Sequence, residues 1–450
     1  MLAVATVAEA RAADEAAPAS HETLVRRAGT ALACAAIEML GGAYGRRVVV
    51  LAGKGSNGAD GRAAASLLRR RGARVVVVDA AVAPPKLPRC DLVVDAAYGT
   101  GFRGRYRAPD PSGAPVLAAD VPSGIVGDTG EASGEPMPAQ RTVSFGSLKP
   151  GLVQWDGRRL AGRVTVADIG VAIEGTGVRL VEDADVAALL PERQPDSHKW
   201  AAAVVVVAGS PGMEGAAALA ASGAARAGAG MVRLAVPGAS GPGPWPVEAV
   251  RLAVPAAGWA DDVLGVVDRA RAVVVGPGLG RDEATLAEVR RLVDRSPVPV
   301  VADADALYAL AGSSWIGPTV VLTPHDGEYA RFAGGLPGPD RIAAARRLHE
   351  QTGATVLVKG SLTAVAGSGA VLLSAAGSTR LATAGTGDVL SGVIGAFLAR
   401  GVPAAAAAAL GAHVHGRAAG LGAAEGLVAP DLPLLVSTWL SARSARSAGG

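Results

Sequence analysis

The sequence predicts an α/β protein built from open parallel sheets, one in each half of the chain. Three observations lead there. Short runs of Val and Ala alternate with Ala-rich stretches of helix length, the rhythm of βαβ units. Glycine-rich loops follow several of these runs, where a strand turns into a helix. Half of the 450 residues are apolar while only 3% are aromatic, so cores of Val and Ala are expected. This length holds roughly three average domains or two larger ones.

The first unit, residues 1–190, opens with a Val-rich strand at Val48–Ala52, a glycine-rich loop and a helix ending near Arg71-Gly72. Val75–Asp79, Leu92–Asp95 and Val116–Asp120 follow as further short buried strands. The pattern weakens over Val178–Asp196 into a charged stretch ending in Pro191-Glu-Arg-Gln-Pro195, which reads as a linker. The second unit, 195–445, starts at a strand Val204–Ala208 and turns through Gly209-Ser210-Pro211-Gly212 into an Ala-rich helix ending near Gly228. Its later strands are Leu234–Val236, Ala272–Val275, Val298–Ala302, Val320–Leu322 and Val356–Lys359. Pro237–Pro246 reads as a surface loop and Ser441–Gly450 as a frayed tail.

Composition narrows the function. A net charge of +3 with scattered basic runs such as Arg69-Arg70-Arg71, and no interleaved aromatics, argues against nucleic acid. A nucleotide-sized anion fits better. Two cysteines, Cys34 and Cys90, make neither a disulfide framework nor a zinc site, so free thiols in a reducing, cytoplasmic compartment are expected. No apolar stretch is long enough to span a bilayer, and residues 1–20 carry acidic groups unlike a signal peptide. A homo-oligomer is expected.

In the first unit, Gly53-Lys-Gly-Ser56-Asn57-Gly58-Ala59-Asp60-Gly61 follows a strand and contains G-x-G-x-x-G, which admits backbone close to a phosphate. Two more polar loops, Asp95 to Gly99-Thr100-Gly101 and Asp120-Val-Pro-Ser123-Gly124, leave other strands of the same sheet. Ligands of open parallel sheets bind at the carboxyl ends of strands, so the three loops converge on one crevice. These motifs resemble the NAD(P)H-hydrate epimerase domain, which implies a Rossmann-like sheet. By that resemblance Asp120 is the acid/base at C6 of the hydrate, and Asn57, Asp95 and Ser123 hold a potassium ion. Ser56, Asn57, Gly58, Ala59 and Asp60 would line the ligand with Gly99, Thr100, Gly101, Phe102, Arg103, Gly104 and Arg105. Hydroxyl exchange at C6 needs one group to take and return a proton, and a carboxylate in a partly dry cleft suits that. The family's Asn-Asn-Gly-Gly-Asp is here Ser56-Asn57-Gly58-Ala59-Asp60. The helix usual between Gly101 and Val116 is replaced by a Pro- and Gly-rich stretch.

In the second unit, Ala384-Gly385-Thr386-Gly387-Asp388 is a small-residue loop opening a helix. Its free backbone N–H groups suit phosphoryl oxygens while Asp388 takes a hydroxyl proton. Gly209–Ala216, Gly276-Pro-Gly-Leu-Gly280, Thr323-Pro-His325-Asp-Gly-Glu328 and Lys359-Gly360-Ser361-Leu362-Thr363 stand at successive strand ends around it. Asp303 and Asp305 are candidates for the neighbourhood of phosphate or magnesium, or plain loop residues. His413 and His415 read as packing residues. The set closely resembles the ADP-dependent NAD(P)H-hydrate dehydratase domain, from about His198 to Leu435, and implies a ribokinase-like fold. By resemblance, Lys359, Gly360, Ser361, Leu362, Thr363 and Gly387 hold the adenine nucleotide with magnesium. Ala216, Gly280 and His325 would contact the hydrate, with Asp388 as the base. Tyr308 stands where the family often has Asn.

The implied function is bifunctional repair: the first unit interconverts the R and S hydrates of NADH and NADPH. The second dehydrates the S form at the expense of ADP. The alternative is a small-molecule kinase of the same fold with a non-catalytic N-terminal ligand-binding domain. A redox dehydrogenase is disfavoured, since only Asp79 could read a ribose after the first loop.

Overall fold

The computed structural model describes residues 1–450 apart from 172, 174, 175, 241, 242 and 448–450, and the side chains of 443–447. The chain divides into two compact units, Leu2–Val178 and Arg179–Gly450, with Met1 grouped with the second.

The sheet of the first unit is parallel throughout. Its strands lie in the order Arg74–Asp79, Arg47–Ala52, Leu92–Ala96, Val116–Ala119, Arg141–Phe145 and Arg163–Ala167. Side chains alternate across a strand, so Val48 and Val50 face one side while Val49 and Leu51 face the other. On the first side they pack beneath helices His21–Leu40 and Ser56–Arg70 through Leu32, Ala36, Ala64 and Leu68. The other side is covered by Leu87, Tyr106 and Met137 among others. No helix lies between Gly101 and Val116; a short strand Tyr106–Arg107 pairs there with Gly134–Glu135. The strand expected to be buried at Val75–Asp79 is instead the sheet's edge. With a partner on one side only, it leaves Val76 52% and Val77 36% exposed.

The second unit's sheet runs Val178–Leu180, Val371–Ser374, Thr363–Ala366, Thr355–Val358, Val320–Leu322, Val300–Ala302, Ala272–Val275, Ala203–Val207, Met231–Ala235 and Ala249–Leu252. From Thr355–Val358 to Ala249–Leu252 it is parallel; Thr363–Ala366 and Val371–Ser374 add an antiparallel flank. Helices Glu214–Arg226, Thr386–Ala399 and Ala404–Ala419 pack over one face. Glycines let the first two approach closely: a Cβ on Gly223 would collide with the Val389 carbonyl, and one on Gly392 with that of Ala220.

Two boundaries differ from the sequence reading. Residues 179–190 belong to the second unit rather than the first. The Val181 N–H donates to the Leu373 carbonyl at 2.9 Å, and Val181, Val186 and Leu190 fall inside the second core. The tail expected to fray continues as a helix, Leu432–Ser447, with Val436 and Trp439 buried in the same core; residues 448–450 lie outside the described part. The loop 237–246 includes 241 and 242, which also lie outside it.

Candidate active sites

The first site is a cavity of about 900 Å³ above the carboxyl ends of the first sheet. Asp120 stands at the end of its strand with φ +63°, a left-handed conformation that Asp tolerates better than most residues. Its Oδ1 accepts from Lys149 Nζ at 2.6 Å, the Phe145 N–H at 3.2 Å and Ser144 Oγ at 3.3 Å. Lys149 is nearly enclosed and donates also to the Phe145 carbonyl at 2.8 Å. Asp60 shares the cavity, its pKa pushed up to about 8 by burial and then by the charges of Asp120 and Asp14. At neutral pH Asp60 therefore keeps its proton, in the same cavity as Asp120. Burial also raises Asp14, with Lys149 opposing.

Asp95 is buried behind this site. It accepts from the Ser123 N–H at 2.9 Å, Ser123 Oγ at 2.6 Å and the Ala97 N–H at 3.3 Å. Burial raises its pKa against those hydrogen bonds. Asn57 Oδ1 and Nδ2 are buried without a partner, against Gly99. Ser56, Asn57, Asp60, residues 99–103 and Asp120 line the cavity; Gly58, Ala59 and Arg105 do not, and Gly104 faces a smaller neighbour of about 190 Å³. Gly58 instead packs on Gly53, where a Cβ would meet the Gly53 carbonyl.

The second site gathers at the carboxyl ends of the second sheet. Lys359 Nζ donates to Asp303 Oδ1 at 2.8 Å and lies 3.7 Å from Glu328 Oε2, while Thr323 Oγ1 donates to Asp303 Oδ1 at 2.7 Å. A Cβ on Gly387 would stand 3.6 Å from Lys359 Nζ and 3.8 Å from Asp303 Oδ2, so the 384–388 loop abuts this network. Gly385, with φ +87°, caps the helix Thr386–Ala399 and puts Asp388 in its first turn. Asp388's pKa is pushed up to about 7 by burial and then by the charge of Asp303, with Lys359 opposing. Burial favours neutral Lys359, but the Asp303 and Glu328 carboxylates outweigh it and hold the ammonium above its usual value.

Asp305 accepts from the Gly280 N–H at 2.9 Å and Arg281 Nε at 2.6 Å. Between the two acids Ala304 takes φ +49°, a strain that persists only where the surroundings impose it. Ser210 Oγ donates to the Gly278 carbonyl at 2.9 Å, and a Cβ on Gly278 would meet Ala216, so loops 209–216 and 276–280 are joined. His325 Nδ1 accepts from the Gly327 N–H at 3.0 Å and the Glu328 N–H at 3.3 Å, capping helix Asp326–Ala333; the side chain is 60% exposed. Arg341 bonds to the Lys359 carbonyl, fixing the start of the 359–363 loop. His413 bonds to Asp183 at 2.8 Å, and burial pushes His415 down to about 4, in keeping with packing roles.

Comparison with known proteins bears on both halves. Residues 204–440 match the family model described as NAD(P)H-hydrate dehydratase, and 21–89 and 79–151 match that described as YjeF-related protein N-terminus. The bifunctional NAD(P)H-hydrate repair enzyme of Mycobacterium tuberculosis (strain H37Rv) is 41% identical over 405 residues, 82% of each chain. That of Moorella thermoacetica is 37% identical over 438 residues, 83% of this chain and 82% of its own. The chain belongs to the bifunctional NAD(P)H-hydrate repair enzyme family.

A ribokinase-like superfamily protein from Enterococcus faecalis V583 superposes with a TM-score of 0.50 at 20% identity, covering 60% of this chain and 98% of its own. That likeness supports the ribokinase-like fold of the second half of this repair-family chain. Sequence reasoning missed Lys149 and Asp14 in the first site. Lys149 follows Arg141–Phe145, a strand not anticipated, and Asp14 lies on an Ala-rich helix, Val7–Ala16. A Lys-Pro-Gly four residues beyond a strand was the available signal for Lys149.

Proposed function

We propose that this chain repairs hydrated NADH and NADPH in two steps, epimerising R and S forms in the first unit and dehydrating the S form in the second. The observation that carries it is Asp388, half-protonated near neutrality at a helix N-terminus and flanked by Lys359 and Gly387. In the second site Asp388 takes the proton of the C6 hydroxyl as that oxygen attacks the β-phosphorus of ADP. The bond to AMP breaks, leaving a phosphate ester at C6. The ring nitrogen's lone pair then expels phosphate, and loss of a proton from C5 restores the 5,6 double bond of NADH or NADPH. Hydroxide leaves poorly and phosphate well, which is why the nucleotide is needed. Lys359 and the amides around Gly387 hold phosphoryl oxygens, and positioning with charge supplies most of the acceleration.

The oxygen donors of Asp303 and Glu328 suit a hard divalent ion. Magnesium bound there with ADP would neutralise phosphoryl charge. In the first site the unpartnered Asn57 carbonyl, with Asp95 and Ser123 oxygens, suits potassium. Replacing potassium with tetramethylammonium is therefore expected to lower the Tm and slow epimerisation, and Asn57→Ala to lose the potassium-dependent part of Tm. Equal melting in both salts removes the ion from the reading. The reading also takes the chain as a cytoplasmic homo-oligomer; free Cys34 and Cys90 support the reducing compartment.

The test is recovery of reduced-nicotinamide absorbance when ADP and magnesium are added to mixed hydrate epimers. Full recovery, faster than spontaneous epimerisation allows, is expected. A stable phosphorylated product with no recovery would assign a kinase instead.

A further inference from the structure

Tyr308 lies between two guanidinium groups. The Arg281 Cζ is 3.5 Å and the Arg331 Cζ 3.9 Å from its ring centroid. At such separations one ring face has room for one guanidinium, so the arginines take opposite faces. Arg281 directly follows Gly280 and is fixed by its Nε on Asp305, the same carboxylate that holds the Gly280 N–H. Arg331 sits in the last turn of the helix that His325 caps. Helical side chains lean toward the N-terminus, which turns this guanidinium toward the start of that helix, where His325 stands. Its only recorded partner among the described residues is the Tyr308 ring.

The charge of the site calls for such a group. Asp303, Glu328 and Asp388 act on Lys359, and the cations beside them are already engaged, Arg341 with Asp326 and the Lys359 carbonyl and Arg281 Nε with Asp305. A dinucleotide hydrate carries a pyrophosphate, and NADPH hydrate a 2′-phosphate as well. Each would meet repulsion from these carboxylates unless a cation stood where it passes. Guanidinium forks match phosphate oxygens, and stacking on a ring fixes their planes in advance.

We propose that Arg281 and Arg331, held on either face of Tyr308, form a phosphate-binding clamp beside Gly280 and His325 that takes a phosphate group of the hydrate in the second site. The inference rests on the dehydratase reading. It goes beyond it in assigning three residues to one part of the substrate. Arg281 is committed to Asp305 through Nε and offers its terminal nitrogens; Arg331 offers its whole fork.

The experiment measures KM and kcat for S-NADPH hydrate and S-NADH hydrate, with ADP, in wild type, Arg331→Ala and Arg331→Lys. Losing a charge-assisted phosphate contact is expected to raise KM about 10-fold or more, with kcat and the KM for ADP little changed. A rise confined to NADPH hydrate assigns the 2′-phosphate; a rise with both assigns the pyrophosphate. Arg331→Lys keeps the charge without the stacked fork and should fall between. Unchanged KM for both substrates, or a loss in kcat alone, overturns the clamp. If wild type turns over neither hydrate, the dehydratase reading fails. Calorimetric titration of NADPH into wild type and Arg331→Ala then decides the clamp separately: weaker binding to the variant supports it, and equal binding overturns it.

Discussion

Replacing Asp388 with asparagine is expected to slow ADP-dependent dehydration by about 10²–10⁴-fold, the usual contribution of a positioned base. The substitution keeps the shape of the side chain at the first turn of its helix and removes only its ability to take a proton. Wild-type dehydration should rise with pH through about 7 as Asp388 ionises. The variant should lack that inflection. Stability moves the other way. Because burial raises the folded pKa above 3.8, the acid favours folding while protonated, and that contribution is lost as pH climbs through about 7. Asp388→Asn should therefore melt no lower than wild type at pH about 8, above that window, and the two should converge at lower pH. Initial rates and calorimetry across pH check both halves. A rate loss below tenfold would remove Asp388 from the chemistry.

The second large effect is expected at Asp120. Asp120→Asn should leave dehydration of the S hydrate intact while epimerisation falls by about 10²–10⁴-fold. A mixed-epimer reaction would then run quickly through its S fraction and slow to the spontaneous rate of interconversion. Asparagine is the informative replacement because it also accepts the left-handed backbone at φ +63°. Alanine there would add about 1–2 kcal/mol of strain and confuse folding with chemistry. Full recovery by Asp120→Asn at the wild-type rate would leave the first unit as a ligand-binding module.

Both acids were visible in the sequence because each stands in a short motif at the end of a strand-like run. Strands such as Ala272–Val275 and Val320–Leu322 were legible for a similar reason: they are buried on both faces and read as unbroken apolar runs. Arg141–Phe145 has only two apolar residues in five positions, and Thr363–Ala366 follows the turn Gly360-Ser361 closely. Neither stood out from its surroundings. The partners of the two acids were hidden more deeply. Lys149 reaches Asp120 across 29 positions, and Lys359 reaches Asp303 across 56. Such pairings arise only when parallel strands bring distant loops to one edge, and no local pattern encodes them. Val178–Leu180 was too short and too charged to separate from a linker until its pairing partner was known.

The helix carrying Asp388 lies against Glu214–Arg226 through Gly223, Gly392 and alanines. Alanine and glycine have no side-chain rotamers to lose, so this contact fixes the Asp388 carboxylate at little side-chain entropy cost. It also has a one-sided mutational future. Every replacement of Gly223 or Gly392 is an enlargement: at Gly223 it would press on the Val389 backbone, one residue from the acid, and at Gly392, one turn further along, on the backbone of Ala220 and Ala224. Loss of activity through these positions should therefore appear as a displaced carboxylate in an otherwise folded chain, a class of defect invisible to any survey of residues that touch substrate.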